Sequence, residues 1–365
     1  MNKIKVGILG VTGMVGQSYV KLLQNHPWFD VVDFAASSNS AGKMYSKVVS
    51  KKWLMDGEIP KKYLNFIIRD IHNFEDIPND VKLFFSALDL KDKESTRNFE
   101  FSYAKKGYAL VSNSSANRWT DDVPMIIPEI NPHHTEIIFS QQQIRKLPST
   151  GFVTVKPNCS IQSYLIGLFS LQKSGYPLKD VQVTTLQALS GAGAKGITNP
   201  EWHKNIIPFI KGEEEKTEQE PLKILGKIQS GKIKKSNIFN ISATCIRVPV
   251  IHGHSAVVQI NFESNIPSKE EIIKIWNTFK PDVYEFNLPS APKKTIIYRK
   301  ESDRPQVKAD VNNQNGMAIT FGRLKNDKFF DYKIIGLSHN TIRGAAGGAI
   351  LTAELLVKKG FIKYG

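Results

Sequence analysis

Cysteine is nearly absent from this chain: its 365 residues include two, Cys159 and Cys245. A disulfide-stapled secreted fold is excluded on that count, and a metal centre is too, because no Cys or His pair with ligand spacing surrounds either thiol. Long apolar runs are missing as well, and none approaches the ~20 residues a membrane-spanning helix needs. Residues 1–5 enter an alternating apolar pattern directly, without the basic and then apolar order of a secretory leader. A cytoplasmic protein without a membrane partner is expected. No internal repeat and no low-complexity tract interrupts the chain, which removes solenoids and linkers from consideration.

Positive charge is what the chain has in excess, with 49 Lys and Arg against 34 Asp and Glu, a formal +15. Nucleic-acid binding is one reading of such a balance. The lysines are scattered, however, and the densest groups, Lys51-Lys52 and Lys232-Ile233-Lys234-Lys235, have no aromatic platform between them. A solvated, lysine-rich surface accounts for the charge better, with a field that draws in anionic cofactor and substrate. No nucleic-acid partner is expected. The hydrophobic fraction of 41% is that of a globular protein, and the length suits two domains.

Ile4, Val6 and Ile8 alternate with Lys5 and Gly7, glycines follow at 10, 13 and 16, and a helical face of Val15, Tyr19, Val20, Leu22 and Leu23 comes next. A strand over 31–36 completes strand, glycine-rich turn, helix, strand, which is how a doubly wound parallel sheet opens. Further strands are predicted over 81–86, 108–112 and 152–155. Beyond Cys159 the spacing predicts a helix over 161–172 and longer strands over 181–188, 242–248, 256–262, 317–323 and 332–336. These suit an α+β domain on a mostly antiparallel sheet. The charged stretch 211–235 reads as an exposed helix, and 344–359 as a helix that returns to the first domain. The fold class is therefore α/β, a Rossmann-type parallel sheet plus a second α+β domain. The expected division is 1–157 with 341–365, and 158–340.

The turn Gly10-Val11-Thr12-Gly13-Met14-Val15-Gly16 lets backbone approach a pyrophosphate, with the N–H groups of a helix start directed at it. The second strand ends in Ser37-Ser38-Asn39-Ser40-Ala41-Gly42-Lys43. An NAD site usually has an acid there for the ribose 2′-hydroxyl. Here hydroxyls and a lysine replace it, which suits the 2′-phosphate of NADP. Asp33 is the rival, should the strand end early.

Lys156-Pro157-Asn158-Cys159-Ser160 joins a strand to a helix. Pro157 ends the ladder and Asn158 is a capping type, so Cys159 is expected in the first helical turn, where the dipole favours a thiolate. Cys245, mid-strand among apolar residues, reads as a small buried hydrophobe. His252 and His254 compete for the place of general base.

With Gly10 to Gly16, the run Ser37 to Lys43 and Pro157-Asn158-Cys159-Ser160 there stand two more motifs: Leu186-Gln187-Ala188-Leu189-Ser190-Gly191-Ala192-Gly193 and Arg247-Val248-Pro249-Val250-Ile251-His252-Gly253-His254. In this order and spacing the chain resembles the aspartate-semialdehyde dehydrogenase family. The stretches 123–131 and 340–347 resemble its archaeal and fungal branch. The resemblance implies Cys159 as nucleophile, His254 as acid/base and Gln187 as the group that orients the carbonyl. It implies Arg247 on the substrate carboxylate, Glu213 (or Glu214 or Glu215) on its ammonium, Lys216 and Arg118 on phosphate, and Asn158 beside the substrate. Gly10, Thr12, Gly13, Met14, Val15, Ser37, Ser38, Ser40, Lys43, Ser190, Gly191, Asn340 and Gly344 would border NADP. A homodimer or homotetramer is implied. The nearest alternative of like motifs is a malonyl-CoA reductase using the same cysteine.

Overall fold

The structure, a computed structural model, describes residues 2–364. It opens with β1 (Ile4–Leu9), α1 (Met14–Leu23) and β2 (Phe29–Ala36). There follow α2 (Tyr45–Val49), β3 (Arg69–Asp70), β4 (Val81–Ser86), α3 (Lys93–Lys105), β5 (Ala109–Ser112), α4 (Ile137–Arg145) and β6 (Phe152–Val155). All six strands run parallel, in the order β3-β2-β1-β4-β5-β6. Strand order reverses between β1 and β4, and ligands bind such sheets in the crevice that opens there, beyond the carboxyl ends of the strands. β1, β4 and β5 are buried along nearly their whole length, as strands covered on both faces are. The two residues of β3 are too few to show an alternation, and the sequence reading has no strand there.

After β6 comes a single-turn 3-10 helix (Ser160–Ser163), then α5 (Leu165–Lys173), β7 (Leu178–Gln187), α6 (Gly193–Thr198) and α7 (Glu213–Ile224). The hairpin of β8 (Lys227–Gln229) and β9 (Lys232–Lys234) precedes β10 (Asn240–Arg247), β11 (His254–Phe262), α8 (Lys269–Thr278), β12 (Ile296–Arg299), α9 (Val307–Asp310), β13 (Ile319–Asn326) and β14 (Tyr332–Ser338). Their sheet has the order β10-β7-β11-β14-β13-β12. It is mixed: β10–β7 and β12–β13 pair parallel, while β7–β11, β11–β14 and β13–β14 pair antiparallel. Its register sets Gln187 opposite Arg247, and Ser255, next to His254, opposite Leu186. Three side chains from three chain segments thus meet at one end of the sheet.

The stretch 211–235 corrects the expectation of a long exposed helix. It is α7 followed by the β8–β9 hairpin, and α7 turns a face inward, with Thr217 and Glu220 fully buried and Lys223 3% exposed. Each inward charge has a partner, as burial demands. Glu220 accepts from Arg118, and Lys223 donates to the carbonyls of Arg118 and Thr120. The closing segment makes one wide turn (Ile342–Ala346) before α10 (Gly347–Lys358), whose Ile350, Ala353 and Leu356 pack into the core that β1, α1 and β2 share. Among the described residues no helix is long and apolar enough to cross a membrane.

Candidate active site

Two of the three turn glycines are compelled by space. Gly10 has φ +79°, and a Cβ there would lie 2.7 Å from the Ala87 carbonyl oxygen; a Cβ on Gly16 would lie 2.3 Å from that of Gly10. Gly13 caps α1 without any side-chain bond, so the first N–H groups of the helix remain available to an anion. Met14 and Val15 there line a cleft whose other walls include Ser114, Arg118, Asn158, Cys159, Gly191, Glu213, Lys216, Asn340 and Gly344. Sequence positions from 14 to 344 converge on this one opening.

The end of β2 lies elsewhere. Ser40 and Lys43 line a second cavity together with Lys47 and Lys52, and no carboxylate is among its walls. Ser38 faces the carboxylate of Asp70 and holds it below its ordinary value, and Lys43 Nζ donates to the Asn39 carbonyl at 2.7 Å. Ser37 borders neither cavity. Asp33 is removed as a ribose ligand: it is buried, with both carboxylate oxygens taken by Arg69 at 3.1 and 2.7 Å. Three lysines and a hydroxyl, with the nearest strand acid spent internally, fit a 2′-phosphate, and the glycine cradle fits the pyrophosphate before it.

Cys159 Sγ lies 3.3 Å from His254 Nε2. The Ala188 N–H donates to His254 Nδ1 at 3.0 Å, so the neutral ring carries its proton on Nε2, facing the sulfur. Burial, and then the charge of Arg247, pushes the His254 pKa down to about 3, which keeps the ring neutral. His252 is directed away, bonding Ser190 Oγ at 3.1 Å and stacking on His339. The expected dipole support for the thiolate needs correction. Cys159 caps only the four-residue 3-10 turn, and α5 begins six residues later, whereas the dipole acts within about one turn. Burial and the charge of Glu213 raise the thiol pKa, against the lowering effect of Lys156, Arg118 and Arg247. Cys245 is buried in β10, with Thr217 Oγ1 at 3.5 Å.

Among the three candidate glutamates, Glu213 is the one in the cleft. Its Oε2 accepts from Asn158 Nδ2 at 2.9 Å and Gln187 Nε2 at 3.2 Å, and its Oε1 from Lys216 Nζ at 2.7 Å. Burial pushes its carboxyl up, but Lys216 and these hydrogen bonds outweigh that and leave it below its ordinary value. Glu214 accepts from the Cys245 N–H, and Glu215 is exposed. Arg118 reaches the cleft while bonded to Glu220 at 2.9 Å.

Arg247, Gln187 and His254 do not line the open cleft; they lie just behind it, 5%, 1% and 0% exposed. The covering turn needs Gly191, since a Cβ there would lie 2.7 Å from Arg247 Nη1 and 3.0 Å from His254 Cε1. Asn340 fixes that turn, its Nδ2 donating to Ser190 Oγ at 2.8 Å and its Oδ1 accepting from the Gly253 N–H at 2.8 Å. A Cβ on Gly344 would lie 2.8 Å from Cys159 Cβ, so the returning chain presses against the nucleophile.

Sequence reading missed Glu220 and Lys156. Glu220 Oε2 accepts the Asn158 N–H at 2.5 Å, holding the nucleophile turn. It stands seven residues beyond Glu213, two turns along one helix face, a signal that was present in the chain. Lys156 is 2% exposed at the end of β6.

A parallel nucleotide-binding sheet whose crevice holds a thiol against an imidazole defines a class, the nicotinamide-dependent dehydrogenases that act through a cysteine. Two family models match: Semialdehyde dehydrogenase, NAD binding domain, over residues 5–138, and Semialdehyde dehydrogenase, dimerisation domain, over 168–343. Aspartate-semialdehyde dehydrogenase of Archaeoglobus fulgidus is 42% identical over 99% of this chain and 100% of the relative. The crystal structure of that enzyme with NADP from Candida albicans superposes with a TM-score of 0.87 at 33% identity, covering 99% of this chain and 100% of the other. Malonyl CoA reductase (NADP) of Metallosphaera sedula is 35% identical over 98% of both chains. The chain belongs to the aspartate-semialdehyde dehydrogenase family, and its first part is that family's nicotinamide-dinucleotide binding domain.

Proposed function

We propose that this chain catalyses the NADP-dependent reductive dephosphorylation of L-aspartyl 4-phosphate to L-aspartate 4-semialdehyde, a step toward lysine, threonine and methionine, and that it acts in the cytoplasm. The observation that carries the reading is the 3.3 Å approach of Cys159 Sγ to His254 Nε2 at the wall of the cleft that also holds the start of α1.

The Nε2–H of His254 donates to the sulfur and favours its thiolate, which burial alone disfavours. The thiolate attacks the acyl carbon; a carbon–sulfur bond forms, the carbon–oxygen bond to phosphate breaks, and inorganic phosphate leaves beside Lys216 and Arg118. Bound NADPH supplies the hydride that reduces the resulting thioester. Gln187 orients the reacting carbonyl, and Arg247 holds the substrate carboxylate with its planar fork. Glu213, kept ionised by Lys216, takes the substrate ammonium, with Asn158 beside it. As the carbon–sulfur bond breaks, the aldehyde departs and the sulfur is stabilised again by His254. The covalent intermediate divides one difficult substitution into two easier steps.

We assign residues 1–157 with 341–365 to NADP binding and 158–340 to catalysis and association. The packing of α10 against β1 supports the first assignment. A row of partly exposed Thr184, Val257 and Ile335, paired across β7, β11 and β14, supports a homodimer or homotetramer through the second sheet.

Malonyl-CoA reduction is the second reading, favoured by the Metallosphaera relative. The Glu213–Lys216 pair in the cleft argues against it, because malonyl-CoA has no ammonium for Glu213 to take. Phosphate-dependent NADP reduction with L-aspartate 4-semialdehyde, run beside NADPH oxidation with malonyl-CoA, tests both. Turnover on malonyl-CoA alone would replace the first reading with the second.

A further inference from the structure

Lys156 has no role in the chemistry above, yet it is buried at the junction where the chain leaves the first sheet and later returns to it. Its Nζ donates to the Pro157 carbonyl at 2.8 Å and to the Gly344 carbonyl. These are the two backbone segments that flank Cys159: Pro157 precedes it by two residues, and Gly344 packs on its Cβ. Gly348 leaves the space the stem occupies, since a Cβ there would lie 3.1 Å from Lys156 Cε.

A buried ammonium is costly unless its charge is compensated. Both bonded partners of this one are neutral carbonyls. The charged or titratable groups that face it are Cys159, Arg118, Glu220 and Arg343, with Glu129 across a small cavity. Glu220 is committed to Arg118 and the Asn158 N–H, and Glu129 to Arg343 at 2.8 Å. Of the facing groups, the sulfur of Cys159 is the one whose charge changes in the reaction, and Lys156 is the first of the cations, with Arg118 and Arg247, that favour its thiolate.

We propose that Lys156 is a positioning residue for the nucleophile, tying the Pro157 and Gly344 carbonyls together around Cys159 and setting a positive charge behind its sulfur. The inference rests on Cys159 being the nucleophile. Burial pushes the Lys156 pKa down to about 7, and the thiolate works against that shift, so ammonium and thiolate support one another and titrate as a coupled pair.

The test is the rate of Cys159 alkylation by iodoacetamide from pH 5.5 to 10, read by mass spectrometry of the peptide that contains it. Wild type, K156M and K156R are compared, with circular dichroism as the check of folding. K156M should need about one pH unit more for half-maximal reactivity and react about tenfold more slowly at pH 7, and K156R should recover most of the loss. A folded K156M with the wild-type profile would overturn the proposal. The wild-type curve alone should require two coupled ionisations; a single ionisation there overturns it even if neither variant folds. Alkylation of wild-type Cys159 without loss of turnover would instead sink its role as nucleophile, a separate failure.

Discussion

A thiol whose pKa is raised by burial needs help from its neighbours, and at Cys159 that help is local: an N–H on one side, cations on the others. Cys159→Ala removes the sulfur and nothing that cradles the dinucleotide. NADPH should therefore bind within about twofold of wild type by fluorescence titration, while turnover falls by roughly 10⁴-fold or more. Normal turnover would end the assignment. Arg247→Lys tests a subtler point. The guanidinium already spends Nη1 on the Ala188 carbonyl at 2.7 Å, and a lysine cannot keep that bond while also holding a carboxylate with two parallel donors. Losing about 2 kcal/mol of charge-assisted bonding predicts a KM for semialdehyde about 30-fold higher; an unchanged KM would assign the carboxylate to another residue. Cys159 was singled out by its own flanking residues, whereas Gln187, Arg247 and His254 were named through the motifs that carry the family resemblance. Lys156 was not legible, because a lysine ending an apolar strand gives no sign in one dimension of what faces it, and Glu220 left only its two-turn spacing from Glu213, which does not say what that helix face meets.

At the scale of elements, the glycine-rich turn and α1 were readable because their periodicity and spacing are local. The same is true of β4 and β6, short apolar segments found at the bounds predicted for them. What failed was α7 and the hairpin after it. Charge along a helix normally marks a solvated face, and only the tertiary partners Arg118, Asn158 and the Thr120 carbonyl make this one internal. The 3-10 turn at Ser160–Ser163 was likewise read as the start of a longer helix, since cap signals do not distinguish one turn from four. The turn before α1 offers a test at this scale. A methyl at position 16 would lie 2.3 Å from the Gly10 oxygen and 2.6 Å from Val11 Cα, both backbone, so Gly16→Ala must push α1 away from β1. The N–H groups that meet the pyrophosphate move with it. The KM for NADP should rise at least about tenfold, with a smaller change in the KM for semialdehyde; equal changes in both would place the damage in the general fold instead.

For the molecule as a whole, the buried histidines tie stability to pH. His134 is fully buried between Asn131 and the Gly226 carbonyl, and burial pushes its pKa down to about 4. His254 and His339 are depressed in the same sense. A base whose folded pKa lies below its unfolded value of about 6.5 binds a proton more readily in the unfolded chain, so stability falls as pH drops from the unfolded value toward the folded one. Buried Glu100 and Asp33 are raised and act with the opposite sign, which makes the net slope a poor test. The difference between wild type and a His134 variant isolates one group. From pH 7 to pH 5, His134 should cost about 2 kcal/mol, or about 3 °C in Tm for a chain of this size. His134→Gln keeps a donor and an acceptor but cannot titrate, so it should be less stable than wild type at pH 7 yet lose about 3 °C less on acidification. Parallel Tm curves for the two proteins would mean that His134 takes up its proton at the same pH folded and unfolded, and that its bond to Gly226, which joins the hairpin after α7 to the loop beyond β5, tolerates a charged ring.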